Sequence, residues 1–460
     1  MRLRLFISAT LIACMIVQTA RVIAQRATPQ ARRQPNVVLI IMDDLGYGDI
    51  GSYGVKDART PNIDRLAREG VRLTNAYSNG PVCSPTRAAL ISGRYQQRVG
   101  IEWALNITTG LDQGLPVMGA SLPALLKKNG YATGLVGKWH LGYKPEFRPN
   151  AHGFDEFYGF LSGAVDYYTH RRGDGMRDLF DNTTPVEAPG YLTDEITHRA
   201  VSFVDRHKAD TFFLEVAYNA VHWPFQPPGQ APSDRTAVPR PAQTGGARLY
   251  QGPDDLVPAT RRDYVRMLER ADEGVGRILA ALDRHGLSRN TLVIFTSDNG
   301  GEWLSRNAPL SHRKSTLWEG GIRVPLLLRW PTRLPAGKTS EQVAITMDLT
   351  TTIMAAVGAG ATPDHRPEGI DLLPILRGDS ELADRQLFWR IAQPNRQQRA
   401  VRAGQWKLLV DGGQFLLFDL RADPGEKHDL TARRPELVVK LKTLLEAWEK
   451  DVDQKPQTNQ

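Results

Sequence analysis

Residues 37–42 read VVLIIM, an unbroken run of six apolar side chains that Asp43 and Asp44 follow directly. A strand that is apolar on both faces is typical of a parallel sheet covered by helices, because neither face meets water. Four further strand candidates, YATGLVG, TFFLEVAY, TLVIFTS and VPLLLRW, lie at residues 131–137, 211–218, 291–297 and 324–330.

Helical periodicity, with apolar residues three or four positions apart, separates these strand candidates. It occurs in IDRLAREG, LPALLKKNG, THRAVSFVDRH and YVRMLERADEGVGRILAALDRHG, at residues 63–70, 122–130, 197–207 and 264–286. Strands that alternate with helices predict an α/β fold with a large, mostly parallel sheet that helices cover on both faces. A stretch rich in Pro and Gly, 223–258, predicts a long surface loop.

The pattern changes after about residue 380. The runs QLFWRIA, RAVRAGQWKLLV and QFLLFDL predict short antiparallel strands, and RPELVVKLKTLLEAWEKDV predicts a charged amphipathic helix. We therefore predict a small C-terminal α+β subdomain of antiparallel strands. The predicted organisation is a signal peptide, a flexible lead-in, a catalytic domain and this subdomain, at residues 1–24, 25–35, 36–378 and 379–460.

The first 24 residues have the order of a secretory signal: a basic start, an apolar run and small residues before Ala24. Cleavage there removes three arginines and lowers the formal net charge from +8 to +5 (8 − 3). The segment LIAC also resembles a lipoprotein cleavage box ending at Cys14, which is the second possibility. We predict a periplasmic or secreted protein with no membrane span in the mature chain. The sequence contains no Lys/Arg-rich run of the kind that indicates nucleic-acid binding.

Acidic side chains follow two of the predicted strands. In open α/β sheets the active site lies beyond the carboxyl ends of the strands, where Asp43, Asp44, Asp298 and Asn299 are expected to converge. Such an all-oxygen set suits a hard cation, Ca²⁺ or Mg²⁺, rather than zinc. The alternative is that these acids cap helices or form Asx turns.

Cationic and imidazole side chains follow the other strands. On an extended segment Lys138 and His140 project to one side and Trp139 to the other. His222 follows the strand TFFLEVAY, and Lys314 lies in SHRKSTLWEGG. Each of these residues taken alone is more often a surface or core residue than a catalytic one.

The segment CSPTRAALISGR begins at Cys83, the only cysteine left after signal cleavage. Ser84 is predicted to cap a helix and Pro85 to lie in its first turn, with Arg87 one helical turn beyond Cys83. An unpaired thiol is unusual in an oxidising compartment. From these residues alone, a buried structural cysteine and a thiolate nucleophile of low pKa both remain open.

CSPTRAALISGR resembles the C-x-P-x-R signature of the type I sulfatases, a family within the alkaline phosphatase superfamily. Within that family, the sequence resembles the arylsulfatase A/B-like members. Further similar motifs occur in the family's order: IIMDDLGYGDIG, GYATGLVGKWHLG, HWPF, SDNGG, KSTLWEGG and, near the C-terminus, WKLL…LFDLRADPGEKHDL. The resemblance covers about residues 36–430. Thr86 and Ser92 depart from the common Ser and Thr, whereas Pro85 and Arg87 are retained.

The resemblance implies that a formylglycine-generating enzyme oxidises Cys83 to formylglycine (3-oxoalanine). The hydrated aldehyde, a gem-diol, would then be the nucleophile. One Ca²⁺ would be bound by the modified Cys83 together with four other residues, Asp43, Asp44, Asp298 and Asn299. The sulfate group would be bound by Lys138, His222 and Lys314. Arg87 would hold the modified residue in register with the metal ligands, and His140 would accept a proton during sulfate release.

The implied activity is that of an exported sulfatase, which hydrolyses a sulfate ester to an alcohol and inorganic sulfate. GFLSGAVDYYTH and GRYQQRVGIEWAL resemble the arylsulfatases that include the N-acetylgalactosamine-4-sulfatases, which indicates a sulfated glycan or an aryl sulfate as substrate. Tyr167, Tyr168 and His170 either line a sugar subsite or belong to the core. The alternatives are a phosphatase or phosphodiesterase of the same superfamily, and a catalytically silent glycan-binding protein with unmodified Cys83.

Overall fold

The computed structural model describes residues 34–108, 110–229, 259–360 and 366–454. The predicted signal peptide and most of the predicted lead-in and long surface loop lie outside the described residues. Within the described ranges, none of the helices combines the length and the apolar character that a membrane crossing requires. The predicted boundary between residues 378 and 379 stays a prediction.

The described residues form strands β1 to β14 and helices α1 to α9, numbered in chain order. The strands are Asn36–Met42, Val71–Tyr77, Ala132–Lys138, Glu156–Phe160, Phe180–Asp181, Thr184–Pro185, Phe212–Ala217, Thr291–Ser297, Leu326–Arg329, Lys338–Ile345, Gln386–Gln393, Arg396–Ala403, Trp406–Asp411 and Gln414–Asp419. The helices are Pro61–Glu69, Cys83–Ser92, Leu122–Lys128, Leu192–Arg206, Arg261–Arg284, Glu319–Ile322, Thr346–Val357, Leu373–Arg377 and Pro435–Val452.

Ten of these strands form the main sheet, in the order β10-β2-β9-β8-β1-β7-β3-β4-β5-β6. The central strand β1 is parallel to both of its neighbours, β7 and β8, and the parallel pairing continues from β7 through β3 to β4. Strand β9 instead runs antiparallel to β8 and β2, because the chain turns back after the carboxyl end of β8. The predicted large, mostly parallel sheet is confirmed.

Helices cover both faces of the main sheet, which explains the unbroken apolar run of β1. Val37, Leu39 and Ile41 pack into one core with α2, α3 and α7, whereas Val38 and Ile40 pack into another core with α1, α4 and α5. Burying a side chain of this size contributes about 1.5–3 kcal/mol to folding. Replacing an apolar residue on either face of β1 by a polar one would therefore remove this contribution to the stability of the fold.

The four strands β11 to β14 form a separate antiparallel sheet, as predicted for the C-terminal region. Helix α9 packs against it through Leu441, Leu445 and Trp448, which share a core with Leu387 and Leu417 of the sheet. This small sheet and its helix match the predicted α+β pattern.

Buried charges join the small sheet to helix α6 and the turn after β14. The Lys407 Nζ lies 2.9 Å from Glu319 Oε1 and 2.8 Å from Glu426 Oε1, and all three side chains are inaccessible to solvent. Burial raises the pKa of Glu426 to about 7, and the charge of Lys407 offsets this only in part. For Glu319 burial is outweighed by the charges of Lys407 and Arg323, which lower its pKa to about 2.

Lys407→Met should destabilise the fold, because it removes the ammonium group between two buried carboxylates. Breaking a buried ion pair on one side costs about 3–5 kcal/mol, measurable as a lower free energy of unfolding in urea. The loss should be smaller at pH 5 than at pH 8. Since the raised pKa of Glu426 lets the folded protein hold its proton at low pH, less charge is then left unpaired. The matched control is Lys427→Met on an exposed side chain; equal losses in the two variants would contradict the prediction.

Candidate active site

The predicted acidic residues meet at the carboxyl ends of β1 and β8. These two strands are parallel neighbours, with Met42 paired to Ser297, so the residues that follow them emerge side by side. The Asp44 amide donates to Asp298 Oδ1 at 3.4 Å, and Asn299 Nδ2 donates to Asp44 Oδ1 at 2.7 Å. The structure thus brings the two acidic pairs together, as the strand-end argument predicted.

Two lysines neutralise the carboxylates that follow β1. The Lys138 Nζ, at the end of β3, lies 2.6 Å from Asp43 Oδ2, and the Lys314 Nζ lies 2.7 Å from Asp44 Oδ2. Burial nevertheless raises the pKa of Asp43 to about 7, with the Lys138 charge opposing the rise. For Asp44 burial is outweighed chiefly by the charge of Lys314 and its hydrogen bond, which hold the pKa of Asp44 well below the usual range. Protein cations therefore neutralise part of the negative charge of the acidic cluster.

Helix α2 begins at Cys83 itself, two residues before Pro85, where the sequence predicted its start. Val82 precedes it in extended conformation and provides no side-chain cap, so the prediction of Ser84 as N-cap is wrong. The Ser84 Oγ instead accepts a hydrogen bond from the Leu105 amide at 3.1 Å. Because the helix already includes Cys83, Ser84 lies within its first turn and its hydroxyl is free to bind another segment.

The Cys83 side chain is buried, and its Sγ donates to Asp43 Oδ1 at 3.5 Å. Burial raises the pKa of this thiol well above its ordinary value, although Lys138 and Lys314 oppose the rise. An unmodified Cys83 is therefore protonated at neutral pH. This disfavours the alternative of a thiolate nucleophile with a lowered pKa.

Arg87 connects three parts of the site. Its Nη2 and Nε donate to Asp298 Oδ2 at 2.9 and 3.1 Å, and its Nη1 donates to the Lys138 carbonyl at 2.9 Å. Both members of the Arg87–Asp298 pair are almost fully buried. A planar guanidinium held in this way keeps α2, β3 and the segment after β8 in one arrangement.

His140 lies directly beyond β3 with a positive φ of 59°, and its ring is buried. Since a carbonyl can only accept, the 2.7 Å contact with the Leu105 oxygen places the ring proton on Nε2. The Nδ1 atom is buried and has no hydrogen-bond partner among the described residues. Burial, reinforced by the charge of Lys138, lowers the pKa of His140 well below its usual value. The ring is therefore neutral, with a free lone pair on Nδ1.

His222 reaches the site from the loop after β7. Its Nδ1 donates to the Trp223 carbonyl at 2.6 Å, and its Nε2 lies 3.5 Å from Asp44 Oδ2. The Tyr167 hydroxyl donates to the carbonyls of His222 and Asn219, at 2.8 Å each, and so fixes this loop. Of the two alternatives for Tyr167, the structure supports the core.

The donor atoms at this site fit a metal ion. Asp43, Asp44, Cys83 and His222 each offer a ligand atom, and these atoms lie within 4.8 Å of one another. The Asn299 Oδ1 is buried and has no hydrogen-bond partner among the described residues. An orphaned buried oxygen beside two carboxylates is an arrangement that a bound cation would satisfy.

Comparisons with known proteins identify the family of the chain. The family model described as Sulfatase matches residues 35–359. The chain belongs to the sulfatase family. A second family model, described as N-sulphoglucosamine sulphohydrolase, C-terminal, matches residues 311–451 of this sulfatase. The predicted family is confirmed.

Individual relatives of this sulfatase agree with that assignment. N-acetylgalactosamine-6-sulfatase of Canis lupus familiaris is 34% identical over 85% of this chain and 74% of its own. Arylsulfatase A of Bos taurus is 33% identical over 89% of this chain and 82% of its own. The crystal structure of Ps i-CgsB in complex with k-i-k-neocarrahexaose is similar with a TM-score of 0.81, at 34% identity, and the match covers 92% of this chain and 94% of that one. The protein is a sulfuric ester hydrolase, and the predicted enzyme class is confirmed.

Glu302 is a residue of this site that the sequence analysis did not identify. Its Oε2 lies 3.7 Å from the Lys314 Nζ, and the side chain is buried. Burial raises the pKa of Glu302 to about 7, with Lys314 opposing the rise. The available signal was its position three residues after Asn299, in the loop that follows β8.

Proposed function

We propose that this sulfatase removes sulfate from a sulfated glycan and uses the formylglycine form of Cys83 as its nucleophile. The observation that carries the proposal is the position of Cys83, buried 3.5 Å from Asp43 among oxygen donors and two lysine ammonium groups. In this place burial outweighs the charges of the two ammonium groups and keeps a thiol protonated. It suits an oxygen nucleophile, since hard cations bind oxygen in preference to sulfur.

Lys138, Lys314 and His222 would bind the sulfate group. A sulfate ester is anionic, and charge moves onto its leaving oxygen as the S–O bond breaks, so fixed cations beside it stabilise the transition state. Both ammonium groups are now paired with Asp43 and Asp44. If a metal ion bound these two carboxylates, the ammonium groups would become available to the sulfate oxygens.

The proposed metal ion is one Ca²⁺, which an all-oxygen donor set favours. The residues that would bind it are Asp43, Asp44, Asp298, Asn299 and the modified Cys83. When bound, the ion would make a hydroxyl of residue 83 more acidic. Arg87 would keep Asp298 and residue 83 in register, as its buried contacts support.

As a hydrated formylglycine, residue 83 would carry two hydroxyls on one carbon. Attack by one hydroxyl oxygen on sulfur forms an O–S bond, and the S–O bond to the glycan breaks as the alcohol leaves with a proton. Loss of the proton of the second hydroxyl then re-forms the aldehyde as the C–O bond to the bound sulfate breaks, which releases inorganic sulfate. Neither step consumes an oxidant or reductant, and water restores the gem-diol.

His140 would accept the proton of the second hydroxyl at Nδ1. The hydrogen bond from its Nε2 to the Leu105 carbonyl leaves Nδ1 as the free acceptor. Its low pKa keeps the ring neutral before the step, and the negative charge of bound sulfate would raise its basicity when the proton arrives.

A sulfated glycan is the proposed substrate class. Two relatives at 34% identity support it by name, one an N-acetylgalactosamine-6-sulfatase and the other a protein solved with a neocarrahexaose. The basic net charge suits a polyanion. We propose N-acetylgalactosamine sulfate or a related sulfated sugar as the residue acted on. Membership of the sulfatase family favours this activity over the phosphatase alternative.

We further propose that the protein is exported, to the periplasm or outside the cell, and that a formylglycine-generating enzyme acts on it. The signal-like order of the first 24 residues supports export, and the intact Pro85 and Arg87 of the signature support modification. A lipid anchor at Cys14 remains the alternative to cleavage after Ala24.

Isolation of the protein from its native host tests this function. Sulfate release from sulfated oligosaccharides should exceed phosphate release from matched phosphate esters by at least about 100-fold. In the peptide that carries Cys83, mass spectrometry should show sulfur and two hydrogens replaced by oxygen, and the first residue should lie near Gln25. Faster phosphate release would favour the phosphatase alternative, and an inactive protein with unmodified Cys83 would favour the silent glycan-binding protein.

A further inference from the structure

We propose that Trp303 and Arg313 form a subsite beside the sulfate-binding residues, which holds the sugar ring and a second anionic group of a polyanionic glycan. This proposal rests on the proposed function. It concerns the parts of the glycan that the enzyme would recognise in addition to the sulfate that it removes. The second anion is a sulfate or a carboxylate, since an arginine binds both through the same paired hydrogen bonds.

Two chain segments run side by side from the active site to the proposed subsite. Glu302 and Lys314 approach to 3.7 Å inside the site, and Trp303 and Arg313 are their immediate neighbours in the chain. The guanidinium carbon of Arg313 lies 5.5 Å from the centre of the Trp303 ring. Arg313 is exposed and Trp303 is partly buried, so the stacked pair begins where the buried site ends.

The charge of Arg313 is available to a ligand. Arg313 forms no ion pair within the part of the chain that the structure describes, and its guanidinium lies over the Trp303 ring. The positive charge of Arg313 also acts on the site, because it is one of the charges that lower the pKa of Glu302 against the effect of burial. An exposed guanidinium that lies over an indole ring is positioned to bind a planar or tetrahedral oxyanion.

A second arginine borders the same surface from the small sheet. Arg396, at the start of β12, donates from Nη1 to the Ser315 carbonyl at 2.6 Å, one residue beyond Lys314. His312 feels the charges of both Arg396 and Arg313, which add to burial in lowering its pKa. The outer side of the Lys314 segment therefore carries two arginines. Two positive charges there would favour a substrate with further negative charges over one with a neutral leaving group.

The chemistry of the pair matches a charged sugar. An aromatic face offers a broad apolar surface to the C–H face of a sugar ring, and a guanidinium recognises sulfate or carboxylate by two parallel hydrogen bonds. Because Lys314 is proposed to bind the scissile sulfate, the ring that carries this sulfate would lie near Trp303. A second anion on that ring or its neighbour would then reach Arg313.

The test compares three matched oligosaccharides, each with the same scissile sulfate. One carries no further charge, one a second sulfate and one a uronate carboxylate. Arg313→Gln should lower kcat/KM about tenfold on the charged substrates, mainly through KM, and remove the preference of the wild-type enzyme for them. The arm with the larger loss identifies the second anion as sulfate or carboxylate. Trp303→Ala should lower kcat/KM on all three oligosaccharides by about tenfold, and Trp303→Phe should restore most of it.

The matched control is Arg333→Gln. Arg333 also lies over a tryptophan, 5.7 Å from the Trp330 ring, but it follows β9, whose antiparallel course places it at the opposite edge of the sheet. This variant should keep the wild-type preference. If Arg313→Gln behaves like Arg333→Gln, the subsite is wrong while the proposed function stands. A wild-type enzyme that hydrolyses an aryl sulfate but none of the three oligosaccharides overturns both.

Discussion

Cys83→Ser should stop the enzyme after one turnover, with sulfate bound covalently to the new hydroxyl. A single hydroxyl can attack sulfur, but it has no geminal partner whose deprotonation would expel the sulfate. We expect steady-state turnover to fall by at least about 1,000-fold, while one equivalent of alcohol is released in a burst. Mass spectrometry of the peptide that contains position 83 should show the added sulfate.

Two further variants separate attack from release. Cys83→Ala provides no attacking oxygen and should give neither burst nor adduct. His140→Ala, in enzyme that carries formylglycine, should reduce steady-state turnover more than single-turnover alcohol release, since the Nδ1 lone pair is proposed to act in the second step. Steady turnover of Cys83→Ser at the wild-type rate would contradict the gem-diol mechanism and favour a plain hydroxyl nucleophile.

Removal of the metal ion should abolish turnover, and Ca²⁺ should restore it. We expect turnover to fall by at least about 100-fold on treatment with a calcium chelator. Without the ion, the hydroxyl of residue 83 would be less acidic, and the two lysines would stay paired with Asp43 and Asp44 instead of binding sulfate. The measurement is activity against free Ca²⁺ concentration, with metal analysis of the active sample. Full activity in a sample verified to be free of metal would contradict the prediction.

Asp43→Asn tests the same site by removing one proposed metal ligand. Burial raises the pKa of Asp43 to about 7, so the neutral amide resembles a form that the folded chain already takes up near neutrality. The variant should need about 10- to 100-fold more Ca²⁺. It should also lower the free energy of unfolding, because it removes the charge that pairs with the buried Lys138 ammonium group. Asp298 carries the same cost, since its loss would leave the buried guanidinium of Arg87 unpaired.

The control for Asp43→Asn is Asp272→Asn. Asp272 is also buried with a pKa raised by burial, to about 6, but its carboxylate accepts from the amides of Asn62 and Ile63 at the start of α1. Its substitution changes a buried carboxylate outside the site. The Ca²⁺ dependence of turnover should therefore be that of the wild type; an equal shift in both variants would assign the effect to lost stability.

Local pattern was enough to predict the main elements of the fold. The run VVLIIM predicted a strand buried on both faces, and β1 packs its alternate side chains into two cores. The acids directly after β1 and β8 could be expected to meet, since parallel neighbouring strands end at the same edge of a sheet. Both inferences start from short segments, each a strand together with the residues that follow it.

Contacts between distant parts of the chain decided the rest. The amide of Asn299 binds Asp44 across 255 positions, and the tautomer of His140 depends on a carbonyl contributed by Leu105, 35 positions away. Ser84 is a favourable capping residue by type, yet the helix starts at Cys83 and its hydroxyl binds the Leu105 amide instead. Residue type and spacing limit which side chains reach the site, but protonation and pairing follow from burial and from neighbours that only the folded chain supplies.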